Sequence, residues 1–395
     1  MYLFFVLTEQ AMYKIKGERL MLKEILKEKD YLNILTMNDG SDVTKDKWPE
    51  RRKELVELLE QYSYGKTPKI PVKVWGQAVS LNENNSSYAG KVRTERVKIF
   101  MQTEKGIFSF PISIFIPKNV EKPPVFLHVS FYPVPDILRY NDVFNPVEEI
   151  TDAGYALVVV CYTDIMNDNF DGDFFGGLAA YFGMGKNREG DEWGKIGMWA
   201  YAASRVLDYI ISEREDLDSS KVAIIGHSRL GKVALWCGAQ DERFAAVISN
   251  NSGHGGAASA RHWKGKEVEA FINAGSWEWF CENFKKFSDG LEENFDQSFL
   301  LALVAPRLLC VGSAVLDTDS SPESEFLTSL HASQVWNLLG EKGLVCPDRM
   351  PVAGDHFMDG NISYHLRANH HFLSREDWNM YIKFLNEKYK TEKRN

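Results

Sequence analysis

Apolar and polar residues alternate along two early stretches of the chain, and continuous apolar runs follow them. The alternation spans residues 91–101 and 108–116, and in the second stretch every other residue is apolar. A period of two is typical of antiparallel strands with one covered face. The runs at 124–131 and 155–161 are mostly apolar, as in strands that are buried on both faces of a parallel sheet. The pattern therefore predicts a sheet that changes from antiparallel to parallel along the chain.

Helical periodicity and further apolar runs alternate through the rest of the chain. Leu55, Leu59 and Tyr62 fall on one face of a predicted surface helix that ends near Gly65. Later elements are predicted in this order: a helix at 194–214, strands at 222–225, 244–249 and 308–312, and a helix at 326–339. Helices that alternate with strands after an antiparallel start predict an α/β-hydrolase fold, a three-layer αβα sandwich around a mixed, mostly parallel central sheet.

A single domain is expected to include the whole chain, residues 1–395. Residues 1–90 are interpreted as an N-terminal helical and extended segment that packs on this domain. The stretch 253–294 is rich in Trp, Phe and Lys, and we interpret it as an insertion near the active site. The sequence shows no repeat, low-complexity tract or linker that would divide it.

The segment KVAIIGHSRLGK, residues 221–232, combines a strand with a sharp turn into a helix. Gly226 closes the apolar run, and helical periodicity starts at Leu230. Ser228 at this bend fits a nucleophile elbow, in which a strained turn holds the hydroxyl above the sheet. The usual G-x-S-x-G pattern would place glycine at 230, where this chain has leucine followed by Gly231. Because an ordinary strand-to-helix turn with an inert serine explains the bare motif equally well, other residues must decide.

A serine nucleophile needs a histidine that accepts its proton and a carboxylate that orients this histidine. In the predicted fold both follow the serine along the chain, the acid first. Asp317 and Asp319 come just after the predicted strand 308–312. Asp317 is the preferred acid, because Asp319 is better explained as a capping residue of the helix that starts near Pro322.

The candidates for the base are the histidines in the last third of the chain: His331, His356, His365, His370 and His371. His331 falls inside a helical pattern and is expected to be a packing or surface residue. Residues 363–378 are predicted to form a loop before the final helix, where this fold delivers its histidine. The residues alone leave His370 and His371 as alternatives.

Paired histidines also raise the possibility of a metal site. His370 with His371, or His254 with His262, would be the ligands, but the chain has no HExxH or similar spacing. We expect no metal. Ester hydrolysis by a serine needs no organic cofactor, so none is expected.

Composition and charge restrict the expected partners. The 395 residues carry a formal net charge of −9 with scattered basic residues, which favours neither nucleic acid nor an anionic membrane surface. The five cysteines include no CxxC pair, as expected of reduced core residues. The apolar start MYLFFVLTEQ lacks a basic lead and a small-residue cleavage site. We therefore expect a cytoplasmic, monomeric protein without a signal peptide.

These segments together resemble the glucuronoyl esterase family, carbohydrate esterase family 15, and especially its bacterial members. The resemblance covers most of the chain and is carried by WPERRKELVELLEQYSYG at 48–65, DEWGKIGMWAYAASRVLDYI at 191–210, GHSRLGKVALWCGAQDERFA at 226–245, NNSGHGGAASAR at 250–261, LLALVAPRLL at 300–309 and YHLRANHH at 364–371. The G-x-S-R-x-G-K signature is specific to that family and accounts for the displaced glycine.

The resemblance implies a role for each matching residue. Ser228 matches the nucleophile, and His371 rather than His370 matches the base. Arg229 matches the arginine whose backbone N–H and side chain help to hold the oxyanion, as a cation beside a developing alkoxide would. Lys232 matches the lysine that contacts sugar hydroxyls.

Three positions depart from the family pattern. Many members carry the acid as a glutamate after the strand that follows the elbow, where this chain has Asn251. Other bacterial members use an aspartate after the later strand, and Asp317 is the expected acid on that ground. A tryptophan two residues further on is replaced by Asp319, and a sugar-binding glutamate is replaced by Lys266. The neighbouring Glu267 is the expected substrate-binding carboxylate.

The resemblance thus implies a serine carboxylesterase that acts through an acyl-enzyme on carbohydrate esters. The expected substrates are 4-O-methyl-glucuronoyl esters in glucuronoxylan fragments. One alternative is a deacetylase similar to acetyl xylan esterases, which would share the catalytic residues and differ in its pocket. Another is a carbohydrate-binding relative that has lost turnover.

Overall fold

The computed structural model describes the following residues: 21–68, 72–84, 86–132, 143–169, 174–185, 188–259, 276–287 and 294–392. None of the helices in these ranges combines the length and the apolar composition needed to cross a lipid bilayer.

Ten strands within the described residues form one mixed sheet: β1 Lys73–Asn82, β2 Val92–Thr103, β3 Gly106–Pro117, β4 Val125–Ser130, β5 Ala156–Cys161, β6 Val222–His227, β7 Ala246–Asn250, β8 Leu308–Ala314, β9 His356–Phe357 and β10 Ile362–Arg367. Their order across the sheet is β1-β2-β3-β5-β4-β6-β7-β8-β10-β9. Strands β1, β2, β3 and β5 pair antiparallel. Strands β5, β4, β6, β7, β8 and β10 pair parallel, and β9 is an antiparallel edge. The predicted change from antiparallel to parallel pairing is confirmed.

Helices lie on both faces of this sheet: α1 Leu22–Glu28, α2 Trp48–Leu59, α3 Val147–Asp152, α4 Gly177–Tyr181, α5 Lys195–Glu213, α6 Arg229–Gln240, α7 Gln297–Ala302, α8 Pro322–Leu339 and α9 Arg375–Glu392. Alternate residues of each central strand point to opposite faces. Ile224 therefore joins a core that contains α2, α5, α6 and α8, whereas Ile225 joins a second core that contains α3 and α9. Two cores separated by one sheet make up the predicted three layers.

Two elements differ from the sequence prediction. Strand β1 carries no alternating pattern because it is an edge strand whose residues are mostly exposed. Residues 363–367, predicted as part of a loop, belong to β10, which pairs with β8. The loop before α9 is therefore shorter and begins at Ala368.

The candidate catalytic residues and Asn251 follow neighbouring strands at one edge of the sheet. Ser228 comes directly after β6, Asn251 after β7, Asp317 after β8 and His371 after β10. Since β6, β7, β8 and β10 are parallel, their carboxyl ends lie together. This edge is where open α/β sheets bind ligands.

Candidate active site

Ser228 occupies a strained turn between β6 and α6. Its backbone has φ 56° and ψ −130°, a region that costs a non-glycine residue about 1–3 kcal/mol. The Ser228 N–H donates to the carbonyl of Asn250 at 2.8 Å, and the Ser228 carbonyl accepts from Gly231 N–H at 2.8 Å. The predicted strand–turn–helix is confirmed, and the structure fixes the serine at its bend.

Two glycines allow close packing at this turn, Gly226 between β6 and α6 and Gly231 between α6 and the loop after β7. A Cβ atom on Gly226 would lie 2.0 Å from the carbonyl oxygen of Leu230. A Cβ atom on Gly231 would lie 2.9 Å from the Cβ of Ser252. Both distances are shorter than side-chain carbons normally tolerate, so the displaced glycine of the motif has a local packing reason.

His371 and Asp317 form a hydrogen-bonded pair beside this turn. The Nδ1 atom of His371 is 2.6 Å from Asp317 Oδ2. The carboxylate side chain is 4% exposed, whereas the imidazole is 40% exposed. The His371 ring centroid lies 4.5 Å from that of His227, the residue before Ser228. With Nδ1 bound to the carboxylate, Nε2 is the ring nitrogen that remains for proton transfer.

The surroundings of Asp317 favour its ionised form. Burial raises the pKa of this carboxyl, but the hydrogen bond from His371 and its charge, together with Ser320 and Asn251, outweigh burial, so the pKa lies below its ordinary value. Asn251 Nδ2–H donates to Asp317 Oδ2 at 2.7 Å. A carboxylate that stays ionised can orient the imidazole and stabilise the imidazolium.

Asn251 supports the acid without being able to replace it. Its side chain is buried and its φ is 45°, and its N–H donates to the carbonyl of Gly312 at 2.7 Å. A neutral amide cannot balance the charge of an imidazolium, so Asp317 is the carboxylate that His371 meets.

The other histidines of the last third have different surroundings. His365 Nε2 is 2.8 Å from the buried Asp377, which makes it a core residue of β10. His370 is exposed, and its carbonyl oxygen accepts from Arg367 at 2.9 Å. His331 contacts the carbonyl of residue 32 and stacks on a tyrosine at 4.6 Å, and His356 is exposed on β9. Of the candidate histidines, the structure brings His371 to Asp317.

Arg229 is the first residue of α6 and turns its side chain toward the loop after β5. Its Nη1 forms an ion pair with Asp168. The guanidinium carbon lies 4.6 Å from the ring centroid of Trp279 and 5.5 Å from that of Phe131. The backbone N–H of Arg229 belongs to the N-terminus of α6, whose dipole favours negative charge. No local sequence pattern marked Asp168 or Trp279, which contact Arg229 across long chain separations.

Lys232 lies beneath the loop that follows β7. Its side chain is buried, its amino group donates to the carbonyl of Ser252, and burial lowers its pKa. Glu325 on α8 accepts from Ser313 Oγ at 2.5 Å and from Gly253 N–H at 2.9 Å, and burial raises its pKa. These groups form a polar network under residues 251–253. A contact between Lys232 and a sugar hydroxyl stays a prediction.

The expected sugar-binding positions are only partly described. Glu267, with Lys266, lies outside the described residues. Asp319 is exposed in the turn Thr318–Ser320, between Asp317 and α8. Within the described part of the chain, no group of three or more histidine, cysteine or acidic side chains could hold a metal ion.

The sheet order and the loops after its parallel strands define an α/β-hydrolase, and known proteins related to the chain agree. The family model "Glucuronyl esterase, fungi" matches residues 101–340. Carbohydrate esterase MZ0003, from an unknown prokaryotic organism, is 32% identical over 387 residues, covering 89% of this chain and 87% of that protein. A solved glucuronoyl esterase from Solibacter usitatus has a TM-score of 0.81 at 34% identity, covering 90% of this chain and 97% of that chain.

A 4-O-methyl-glucuronoyl methylesterase of Hypocrea jecorina is 27% identical over 326 residues. The match covers 78% of this chain and 62% of that protein, so the chain spans less than two thirds of that relative. The chain belongs to the glucuronoyl esterase family, carbohydrate esterase family 15. It is an esterase with the α/β-hydrolase fold that the sequence pattern predicts.

Proposed function

We propose that the protein is a serine esterase that hydrolyses glucuronate esters through an acyl-enzyme on Ser228. The observation that carries this proposal is the 2.6 Å bond between His371 Nδ1 and Asp317 Oδ2 beside the strained turn of Ser228. A general base oriented by a buried carboxylate, next to a hydroxyl on a nucleophile elbow, can activate that hydroxyl.

In the proposed reaction, Ser228 Oγ attacks the ester carbonyl carbon while His371 Nε2 takes the hydroxyl proton. Asp317 stabilises the imidazolium that forms. The tetrahedral oxyanion is stabilised by the Arg229 N–H at the start of α6 and by the nearby guanidinium. The bond to the alcohol oxygen then breaks, and His371 returns the proton to that oxygen. Water, activated by His371, releases the acid from Ser228 by the same steps.

The names of the relatives favour a glucuronate as the acyl part of the substrate. The Solibacter usitatus protein is a glucuronoyl esterase and the Hypocrea jecorina protein a 4-O-methyl-glucuronoyl methylesterase. We therefore propose esters of glucuronic acid in glucuronoxylan fragments as the carbohydrate substrates. The deacetylase alternative is not favoured by these names.

The test is a rate measurement on benzyl glucuronate and on an acetylated xylo-oligosaccharide. The matched variants are Ser228→Ala and Ser212→Ala, because Ser212 is an exposed serine near the C-terminal end of α5. We expect release of benzyl alcohol by the wild type and by Ser212→Ala, and none by Ser228→Ala. Acetate release without benzyl alcohol release, or full activity of Ser228→Ala, would contradict the proposal.

A further inference from the structure

Asp168 is a carboxylate that the proposed reaction does not use, yet it binds the side chain next to the nucleophile. It lies in the loop after β5, and its Oδ2 pairs with Arg229 Nη1. Trp279 Nε1–H donates to Asp168 Oδ1 at 2.8 Å, and the Tyr162 hydroxyl donates to Oδ2 at 3.3 Å. The Asp168 side chain is only 8% exposed. Three distant parts of the chain therefore meet at one desolvated carboxylate.

The donors around Asp168 are themselves held in place. Trp279 is 7% exposed. Burial and the charge of Asp168 raise the pKa of Tyr162 to about 12, so the hydroxyl keeps its proton. The Tyr162 ring packs edge-on against Trp199 and Phe131, at centroid distances of 5.0 Å and 5.4 Å. Asp168 thus has a fixed position from which to direct the guanidinium.

Trp279 contacts the guanidinium as well as its carboxylate partner. The ring centroid lies 4.6 Å from the guanidinium carbon of Arg229, within the range of a cation–π contact. A rotation of the guanidinium would break the ion pair with Asp168 and this ring contact together. The two contacts therefore define one orientation of the arginine.

The ion pair leaves donor capacity on Arg229. Asp168 engages Nη1, and the buried Nε has no acceptor among the described residues. The negative charge of Asp168 weakens the positive field of Arg229 at the nucleophile, so the carboxylate does not serve by adding charge. What it supplies is alignment, which is the property that makes an oxyanion donor effective without reorganisation during the reaction.

We propose that Asp168 is a positioning residue that, together with Trp279, fixes the Arg229 guanidinium for oxyanion stabilisation. The inference rests on the proposed function, because it gives the Arg229 side chain a role in the reaction. Asp168 acts only through Arg229 and touches no reacting atom.

A purely structural role for Asp168 would be to fasten the segment that carries Trp279. That segment has other fastenings. Glu278 forms a buried ion pair with Lys195 at 2.5 Å, and Glu282 pairs with Arg188 at 3.0 Å. Loss of Asp168 should therefore leave the segment in place and release the guanidinium.

The test is a double-mutant cycle of Asp168→Asn and Arg229→Ala on 4-nitrophenyl acetate and benzyl glucuronate. The loss of one oxyanion donor lowers kcat by roughly 100-fold, which we expect for Arg229→Ala. Asp168→Asn should lower kcat about 10-fold with KM changed less than about threefold. The double variant should be no slower than Arg229→Ala, because a residue that acts through another has no effect once the latter is gone. Melting temperatures check that each variant is folded.

Two further variants separate alignment from packing. Trp279→Phe keeps a ring over the guanidinium but removes the N–H, and should lower kcat about threefold in the wild type and not at all in Asp168→Asn. Asp168→Glu keeps the carboxylate and should retain more activity than Asp168→Asn. The matched control is Glu282→Gln, which removes an arginine–carboxylate pair from the same segment without touching Arg229, and its kcat should stay within about twofold.

An Asp168→Asn enzyme with wild-type kcat, or a double variant whose loss is the product of the single losses, would overturn the inference. Because 4-nitrophenyl acetate carries no sugar, the test of Asp168 on this ester does not depend on the proposed glucuronate substrate. If benzyl glucuronate is not hydrolysed while 4-nitrophenyl acetate is, and the latter depends on Ser228, the glucuronate proposal fails and the cycle on the small ester still decides about Asp168. If Ser228→Ala keeps full activity on both esters, the nucleophile is wrong and the inference about Asp168 falls with it.

Discussion

Two short hydrogen bonds between a histidine and an aspartate lie in different surroundings in this molecule. His371 Nδ1 is 2.6 Å from Asp317, and His365 Nε2 is 2.8 Å from Asp377. The imidazole of His371 is 40% exposed beside the nucleophile turn, whereas that of His365 is 5% exposed inside the second core. A short bond between histidine and aspartate is therefore no sign of catalysis by itself.

The partners of each carboxylate explain the difference. Asp377 also binds Arg367, at 2.8 Å, and Ser374, the residue before α9. It thus joins β10 to α9 in a buried ionic group. Among the described residues, the side chains that donate to Asp317 besides its histidine are neutral, namely the Asn251 amide and the Ser320 hydroxyl. One carboxylate holds two elements together, while the other is available to respond to a change of charge on its histidine.

The largest contrast is expected from replacing each aspartate by asparagine. Asp317→Asn should lower kcat about 1,000-fold to 10,000-fold, since an amide cannot stabilise the imidazolium or hold the reactive tautomer. The measurement is steady-state hydrolysis of benzyl glucuronate, with the melting temperature as the folding control. A loss below about tenfold would mean that another group orients His371.

Asp377→Asn should show the opposite behaviour, with a large effect on stability. The change leaves the buried Arg367 without its charged partner, and the free energy of unfolding should fall by about 3 kcal/mol. Urea denaturation measures this change, and Asp317→Asn is the matched comparison. Equal stability losses in the two variants would remove the distinction between a structural and a functional pair.

The contributions of Asp317 and Asp377 to the free energy of unfolding should depend on pH in the acid range. Burial raises the pKa of each carboxyl. The paired histidine of each, and Arg367 in the case of Asp377, lower the pKa by a larger amount, so both pKa values lie below the ordinary value. Each carboxylate therefore contributes stability that is fully present above about pH 4 and is lost as pH falls through its lower, folded-state pKa.

The free energy of unfolding, measured from pH 5 downward, should fall less steeply in Asp377→Asn and in Asp317→Asn than in the wild type. The neutral amide of each variant has no proton to gain over this range. Parallel curves for all three proteins would contradict the assigned pKa directions.

The smallest effect is expected at Asn251. Asn251→Ala removes the 2.7 Å bond to Asp317, and a single hydrogen bond to a charged group contributes roughly 1.5–3 kcal/mol. Because His371 and Ser320 remain, we expect kcat to fall only about threefold to tenfold. Asn251→Asp is the informative companion, since a second carboxylate at this place would raise the pKa of Asp317 by like-charge repulsion. A loss in Asn251→Ala as large as that in Asp317→Asn would show that Asn251 is indispensable for placing the acid.

Sequence patterns predict the strands, whose buried faces set the spacing of apolar residues, and the tight turn, which requires glycines. The buried runs of β4, β5 and β6 and the glycines around Ser228 report local packing, so the elbow and the parallel strands were predictable. The position of Asp317 followed from its place after β8. The choice between His370 and His371 came from the family resemblance, because both residues lie in the same loop.

Other features depend on contacts between distant segments. His365 lies in β10 and its side chain pairs with Asp377. Nothing in the local sequence pattern distinguishes its surroundings from those of His371. Arg229 meets Asp168 and Trp279, which lie 61 residues before and 50 residues after it in the chain. Such contacts depend on how loops pack against one another at the edge of the sheet. The periodicity of apolar residues does not predict this packing.

Covalent labelling shows most directly whether His371 activates Ser228. The wild type, His371→Gln and His365→Gln would each be treated with a fluorophosphonate, and the modified peptide identified by mass spectrometry over time. We predict one adduct on Ser228, formed at a similar rate in the wild type and in His365→Gln and at least about 100-fold more slowly in His371→Gln. An adduct on another residue, or equal labelling rates in the two histidine variants, would contradict this prediction.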